Sequence, residues 1–115
     1  MFRILCKSKI HRATLTGANL HYSGSIAVDE ALMEAADILP NEMVLVVNLK
    51  NAKRFETYVI PAKKNSGAIG LQGGAALLGK TGDKLIIMSN CLLEDRKARA
   101  FKPKHLYLGK GNKPL

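Results

Sequence analysis

At 115 residues the chain has room for one domain with one core and too little for two. Its 47% hydrophobic content excludes a disordered chain, and no apolar run approaches the roughly 18 residues of a membrane span. The formal net charge of +9 narrows the binding partners to nucleic acid, a membrane surface or small anions. The start, Met1-Phe2-Arg3-Ile4-Leu5-Cys6-Lys7, is too short and too charged for a signal peptide, which predicts a cytoplasmic protein. Cys6 and Cys91 sit in apolar runs without metal-ligand spacing and read as buried, reduced thiols.

Phe2 to His11 alternates, with Phe2, Ile4, Cys6, Ser8 and Ile10 on one face and Lys9 and His11 on the other. That period predicts a strand with one buried face. Arg12 to Ala18 reads as a loop. Gly24-Ser25 follows within Leu20 to Val28. A Gly-Ser pair is usually only a turn. The glycine also admits backbone angles closed to other residues, which can bring the serine hydroxyl onto the carbonyl before it.

Asp29 predicts a helix cap, with Glu30 in the first turn. Leu32, Ala35, Ala36 and Leu39 form an apolar stripe at helical spacing, and Pro40-Asn41 ends it. Met43 to Leu49 and Arg54 to Ile60 read as a strand pair joined at Asn51-Ala52-Lys53. Period two puts Arg54 and Tyr58 on one face and Thr57 on the other.

Six of the ten glycines fall between Gly67 and Gly82. Gly74 to Thr81 fits the phosphate-loop pattern G-x-x-x-x-G-K-[ST], but that loop works at the start of a helix. Here Gly82-Asp83 and a plain strand follow, so the stretch reads instead as a helical turn, Ala75 to Leu78, closed by Gly79 at its C′ position. Leu85 to Leu93 and His105 to Leu108 are the last strands, and Gly109 to Leu115 is expected to fray. From Arg96 to Lys113 there are seven basic residues and no acidic one, a basic tail on a balanced body. The expected fold class is mainly β, a small closed barrel with short helical insertions.

Five segments carry a resemblance: Lys9-Ile10-His11-Arg12, Leu20 to Ser25, Asn51 to Tyr58, Gln72-Gly73-Gly74-Ala75-Ala76 and Thr81-Gly82-Asp83. In this order and spacing they resemble the pyruvoyl-dependent aspartate 1-decarboxylases. The resemblance implies a double-psi β-barrel assembled as a homotetramer, with sites near the subunit interfaces. It implies that the single domain 1–115 cuts itself after Gly24 into 1–24 and 25–115, and that Ser25 becomes a pyruvoyl group. That group takes the amine of L-aspartate as a Schiff base, and the α-carboxylate leaves as CO₂ to give β-alanine. No metal and no pyridoxal phosphate are implied, and a chain this short has little room to hold the latter.

Residue by residue, the resemblance gives Arg54 and Lys9 the substrate carboxylates and Tyr58 the proton donated to the carbanion. It gives Thr57 the polarising of the Gly24 carbonyl, and it places Gln72, Gly73, Gly74 and Ala75 near the substrate. His11 and Tyr22 are supporting positions. Two residues depart from the family pattern: Gln72, where asparagine is common, and Gly74, where alanine is common. The rival reading is a small basic β-barrel that binds nucleic acid. It lacks the exposed aromatics that single-strand binders use for stacking, since the chain has no Trp, three Tyr and three Phe.

Overall fold

A computed structural model describes residues 1–115. The strands are β1 (Phe2–Thr14), β2 (Gly17–Asn19), β3 (Ser25–Asp29), β4 (Met43–Asn48), β5 (Arg54–Ala62), β6 (Ile69–Gln72), β7 (Lys84–Glu94) and β8 (Lys104–Tyr107). Two short α-helices, α1 (Glu30–Ala36) and α2 (Asp95–Ala100), and two 3-10 turns, Gly73–Leu78 and Lys110–Asn112, complete the chain. The molecule is therefore mainly β with short helical insertions. Its strands form one mixed sheet in the order β2-β6-β3-β5-β4-β7-β1-β8. Leu15 and Thr16, just past β1, bond to Asp83 beside β7 and to Ile69 at the start of β6. These bonds link the end of β1 to both β7 and β6, an arrangement consistent with a small β-barrel.

Register decides which side chains face inward. Phe55, Val46, Ile87, Ile10 and Leu106 pair across five strands, and Val46, Ile87 and Ile10 are fully buried. Each such side chain contributes about 1.5–3 kcal/mol of burial. The rows on either side point outward. One runs Arg54, Val47, Ile86, His11, Tyr107, and the other Glu56, Leu45, Met88, Lys9, His105. Thr57 lies two residues beyond inward-facing Phe55, so it faces inward while Arg54 and Tyr58 face outward, as the period predicts.

Asp29 caps α1 by accepting from the Ala31 amide, and also accepts from the amides of Asn65 and Gly67. Burial alone would raise this carboxyl, but the three amides outweigh it and hold the group below its ordinary value. The helix stops earlier than Pro40 predicts. Asp37 takes the left-handed conformation, and the amides of Asp37 and Ile38 return to Glu34 and Met33. The buried positions are accordingly Leu32, Met33, Ala36 and Ile38, with Ala35 and Leu39 exposed.

Several expectations are corrected. Arg12 to Thr14 extends β1 through a bulge, with Arg12 at positive φ, and Gly17–Asn19 is a strand rather than loop. The buried face of β1 holds only from Ser8 onward, since Phe2 and Ile4 are exposed. There β1 pairs with β7 alone, because β4 reaches only Met88 and β8 only Ser8. Cys6 and Cys91 are free thiols, half-buried rather than buried. Gly79 is extended and does not close the turn before it. A side chain there would meet Asn48, Leu15 and Leu71 at 3.1 Å, so the position is set by packing. The basic tail contains α2, and Gly109 to Leu115 is folded. Buried Asn112 donates to the carbonyls of Thr14 and Gly67 and accepts from the Thr14 amide.

Candidate active site

Ser25 opens β3, next to β6 on one side and β5 on the other. It pairs with Gln72 and is 1% exposed. Its hydroxyl donates to Gln72 Oε1 at 3.1 Å and lies 3.4 Å from the Ser23 carbonyl. The serine oxygen is thus held by a group 47 residues away, among the main-chain atoms of the peptide it follows.

Gly73 forms the wall behind that peptide. It sits at φ +65, and a Cβ on it would fall 2.6 Å from the Cα and N of Gly24 and 2.8 Å from the Tyr22 carbonyl. Glycine is required here twice over, by backbone angle and by contact. The Tyr22 ring itself is exposed, so its carbonyl rather than its phenol reaches the site. Gly73 begins the 3-10 turn, which continues through exposed Gly74 and half-buried Ala75. Asn48 holds the far end of that turn. It is fully buried and donates to the Leu78 carbonyl and to Asp83. No sequence signal marks Asn48; its place in an apolar strand reads as an interruption.

On the other flank, β3 runs parallel to β5 with Ile26 beside Val59. Carried back one residue, this register sets Ser25 beside half-buried Tyr58, and carried back two it sets Gly24 beside Thr57. Strand alternation alone makes Thr57 and Tyr58 diverge, but a peptide carbonyl lies in the plane between strands and is open to either residue. The chain bends at Gly24, and no hydrogen bond joins the Thr57 hydroxyl to it.

The structure therefore brings together Gly24, Ser25, Gln72 and Gly73, with Tyr58 and Thr57 one and two residues before the first paired position of neighbouring β5. It does not bring Lys9 and His11 to them. Both lie on the outer face of β1, four strands from β3 in the sheet. Burial, then the charges of Lys9 and Arg12, push the His11 imidazole below its ordinary value, so it stays neutral near pH 7. Arg54 is exposed on the outer face and engaged in no ion pair. It shares a row with His11 across three strand spacings, about 14 Å of sheet. No group of three or more His, Cys, Asp or Glu side chains is placed to hold a metal ion.

The family described as aspartate decarboxylase matches residues 1–115, the whole chain. The chain belongs to the aspartate decarboxylase family. Among similar proteins, the aspartate 1-decarboxylase of Desulfitobacterium hafniense is 52% identical over 115 residues, covering 100% of this chain and 91% of that one. That of Thermoanaerobacter pseudethanolicus is 50% identical over 115 residues, covering 100% and 98%. That of Caldicellulosiruptor saccharolyticus is 56% identical over 107 residues, covering 93% and 84%.

Within this family the two departures have different weights. A Cβ on Gly74 meets nothing within 4 Å, so the position has room for a methyl. Gln72 bears directly on Ser25. The neighbouring glycines give a paired prediction. Gly74→Ala should keep any reaction at Ser25 within about twofold, and stabilise the fold by about 0.4–1 kcal/mol through the unfolded chain. Gly73→Ala should displace the Gly24 backbone, cost about 1–3 kcal/mol and stop any reaction at Ser25. Thermal melts and intact mass of the two variants check this, and equal behaviour of both would refute it.

Proposed function

We propose that this chain is a self-processing aspartate 1-decarboxylase that converts L-aspartate to β-alanine and CO₂. The observation that carries the reading is the Ser25 hydroxyl held by Gln72 while Gly73 presses on Gly24, in a chain that matches the family throughout. The nucleic-acid reading gains no support from the relatives.

In the processing step, Ser25 Oγ attacks the Gly24 carbonyl carbon, the C–N bond breaks, and an ester replaces the peptide. Loss of the Ser25 Cα proton expels the Gly24 carboxylate and leaves a dehydroalanine. Water then releases ammonia from that residue, and a pyruvoyl group caps residues 25–115. Gln72 fits this step as the acceptor that orients the hydroxyl. Thr57, in the neighbouring strand position, polarises the carbonyl as an oxyanion donor does. The burial of Ser25 keeps bulk water from competing.

The pyruvoyl group supplies an electron sink for the substrate amine, so decarboxylation needs neither metal nor pyridoxal phosphate. Ser25 is the catalytic position and Tyr58 the proton donor to the substrate Cα. Gln72, Gly73, Gly74, Ala75 and Thr57 line the substrate. Arg54 and Lys9 bind the carboxylates, Arg54 by a planar fork.

One copy leaves Lys9 and His11 on the outer face, away from Ser25. We therefore assign the complete site to the contact between copies in a cytoplasmic homotetramer. The exposed Met43, Phe2, Ile4 and Leu92 give apolar surface for that contact. No helix is long and apolar enough to cross a membrane.

Purified protein given L-aspartate should release β-alanine and CO₂ in equal amounts; absence of both from a fully cleaved sample overturns the reading. In the same assay Arg54→Lys should lower kcat/KM by roughly ten- to a hundredfold, because an ammonium cannot reproduce a bidentate fork. Its cleavage should be normal. An unchanged kcat/KM removes Arg54 from the site.

A further inference from the structure

At the far end of the 3-10 turn, two adjoining cavities share Lys50 and Asp83. One, of about 540 Å³, is bordered by Lys50, Lys53, Lys80 and Asp83 with Ala76 and Leu77. The other, of about 290 Å³, is bordered by Arg12, Lys84 and the same Lys50 and Asp83. Five cations thus surround one carboxylate, and none of the five is in an ion pair.

The negative atoms of this wall are already engaged. Asp83 Oδ2 accepts from Asn48 Nδ2 and from the Lys80 amide, each at 2.9 Å. The Leu78 carbonyl, exposed by the end of the turn, accepts from the side-chain amides of Asn48 and Asn51 at 3.1 and 3.2 Å. Lys84 spends its ammonium on Thr14 Oγ1. Arg12, Lys50, Lys53 and Lys80 have no side-chain acceptor at all. An excess of positive charge around a cavity of this size suits a ligand that brings several negative charges close together.

We propose that this basin binds a small molecule carrying two or more linked phosphate groups. Lys50, Lys53 and Lys80 surround the phosphates. Exposed Leu77, at the rim, gives an apolar seat for the body of the molecule. Lys80 closes the stretch with phosphate-loop spacing. The backbone here turns at Gly82 and enters β7, so side chains and not helix amides hold the anion. None of these cations serves the proposed decarboxylation, and the inference stands apart from that reading.

Titration calorimetry of the full chain with pyrophosphate, ADP and sulfate tests it. Pyrophosphate and ADP should bind saturably at about one per chain, with sulfate much weaker. Tighter ADP binding than pyrophosphate assigns the rim to a base, and equal binding assigns the site to phosphates alone; either supports the proposal. Lys50→Gln with Lys80→Gln should weaken binding roughly tenfold, two exposed charges being lost. Lys102→Gln with Lys110→Gln, equal in charge but in the tail, should change it by less than about twofold. Amide resonances of Asn51 and of Gly79 to Thr81 should shift with pyrophosphate, a readout that needs no variant. Ser25→Ala should bind as the parent does, which separates this result from the fate of the self-cleavage reading. Equal loss in the two double variants, sulfate matching pyrophosphate, no saturable binding, or an RNA oligomer outcompeting pyrophosphate at matched charge would each overturn it.

Discussion

Ser25→Ala is expected to remain one chain of 115 residues with no measurable decarboxylase activity, whereas the parent is expected to run as pieces of 24 and 91 residues. The substitution removes one oxygen from a buried site and leaves the backbone pairing with Gln72 intact, so the fold should survive. It does leave Gln72 Oε1 without its donor, at a cost of about 1–3 kcal/mol. Without Oγ no ester can form at Gly24, and without the ester no electron sink exists. Activity should fall to background and not merely weaken. Intact mass reads the chain length and a β-alanine assay reads turnover. A purified Ser25→Ala sample that still splits after Gly24 would sink the mechanism outright.

The next largest effect falls on turnover alone. Tyr58 lies on the outer face of β5, at the strand position beside Ser25, while Thr57 faces the core. On the proposed function, one strand would offer one residue to cleavage and its neighbour to catalysis. After CO₂ leaves, the substrate Cα must take a proton before β-alanine can be released, and the Tyr58 phenol is the donor assigned. Tyr58→Phe keeps the ring and its packing and deletes only the hydroxyl. Cleavage should be normal, and kcat should fall by about 10²–10⁴-fold, the usual contribution of a general acid. CO₂ should still appear in the first turnover while β-alanine lags behind it. Parent-rate turnover would leave the hydroxyl without a role and make His11 the next donor to test.

Much of this arrangement is legible in the residues themselves. The Asp29 cap, the alternation that separates Thr57 from Tyr58, and the strand after Gly82 all follow from local chemistry. So does the failure of the phosphate-loop pattern as a nucleotide fold. What escapes is decided by distant partners. Asp95 to Ala100 has helix-forming residues but buries none of them, so it shows no apolar period. It is tied instead to the start of the chain, by Arg3 on the Asp95 carboxylate and by the Asp95 amide on the Met1 carbonyl. Gly109 to Leu115 looks like a frayed end until Asn112 is seen bonded to residues 45 and 98 positions earlier. Gly73 reads as one glycine among many, and only the Gly24 backbone against it shows why it cannot change. Lys9 belongs to the family pattern, but the sheet sets it four strands from Ser25, which no spacing along the chain reveals.

The pairing of β1 has a thermodynamic consequence once the chain is cut. Residues 1–24 include all of β1, bonded to β7 on one side and β8 on the other. Severing Gly24 from Ser25 would leave those ladders in place, so the folded enzyme would hold its first strand as a separate peptide. Unfolding then releases two molecules where there was one. Refolding becomes a second-order encounter, and the melting temperature of the cut protein rises with its concentration. The uncut Ser25→Ala chain, joined end to end, keeps a first-order refolding step within each chain. The ester chemistry also runs only one way, so the cut protein carries no peptide bond with which to restore its own connectivity.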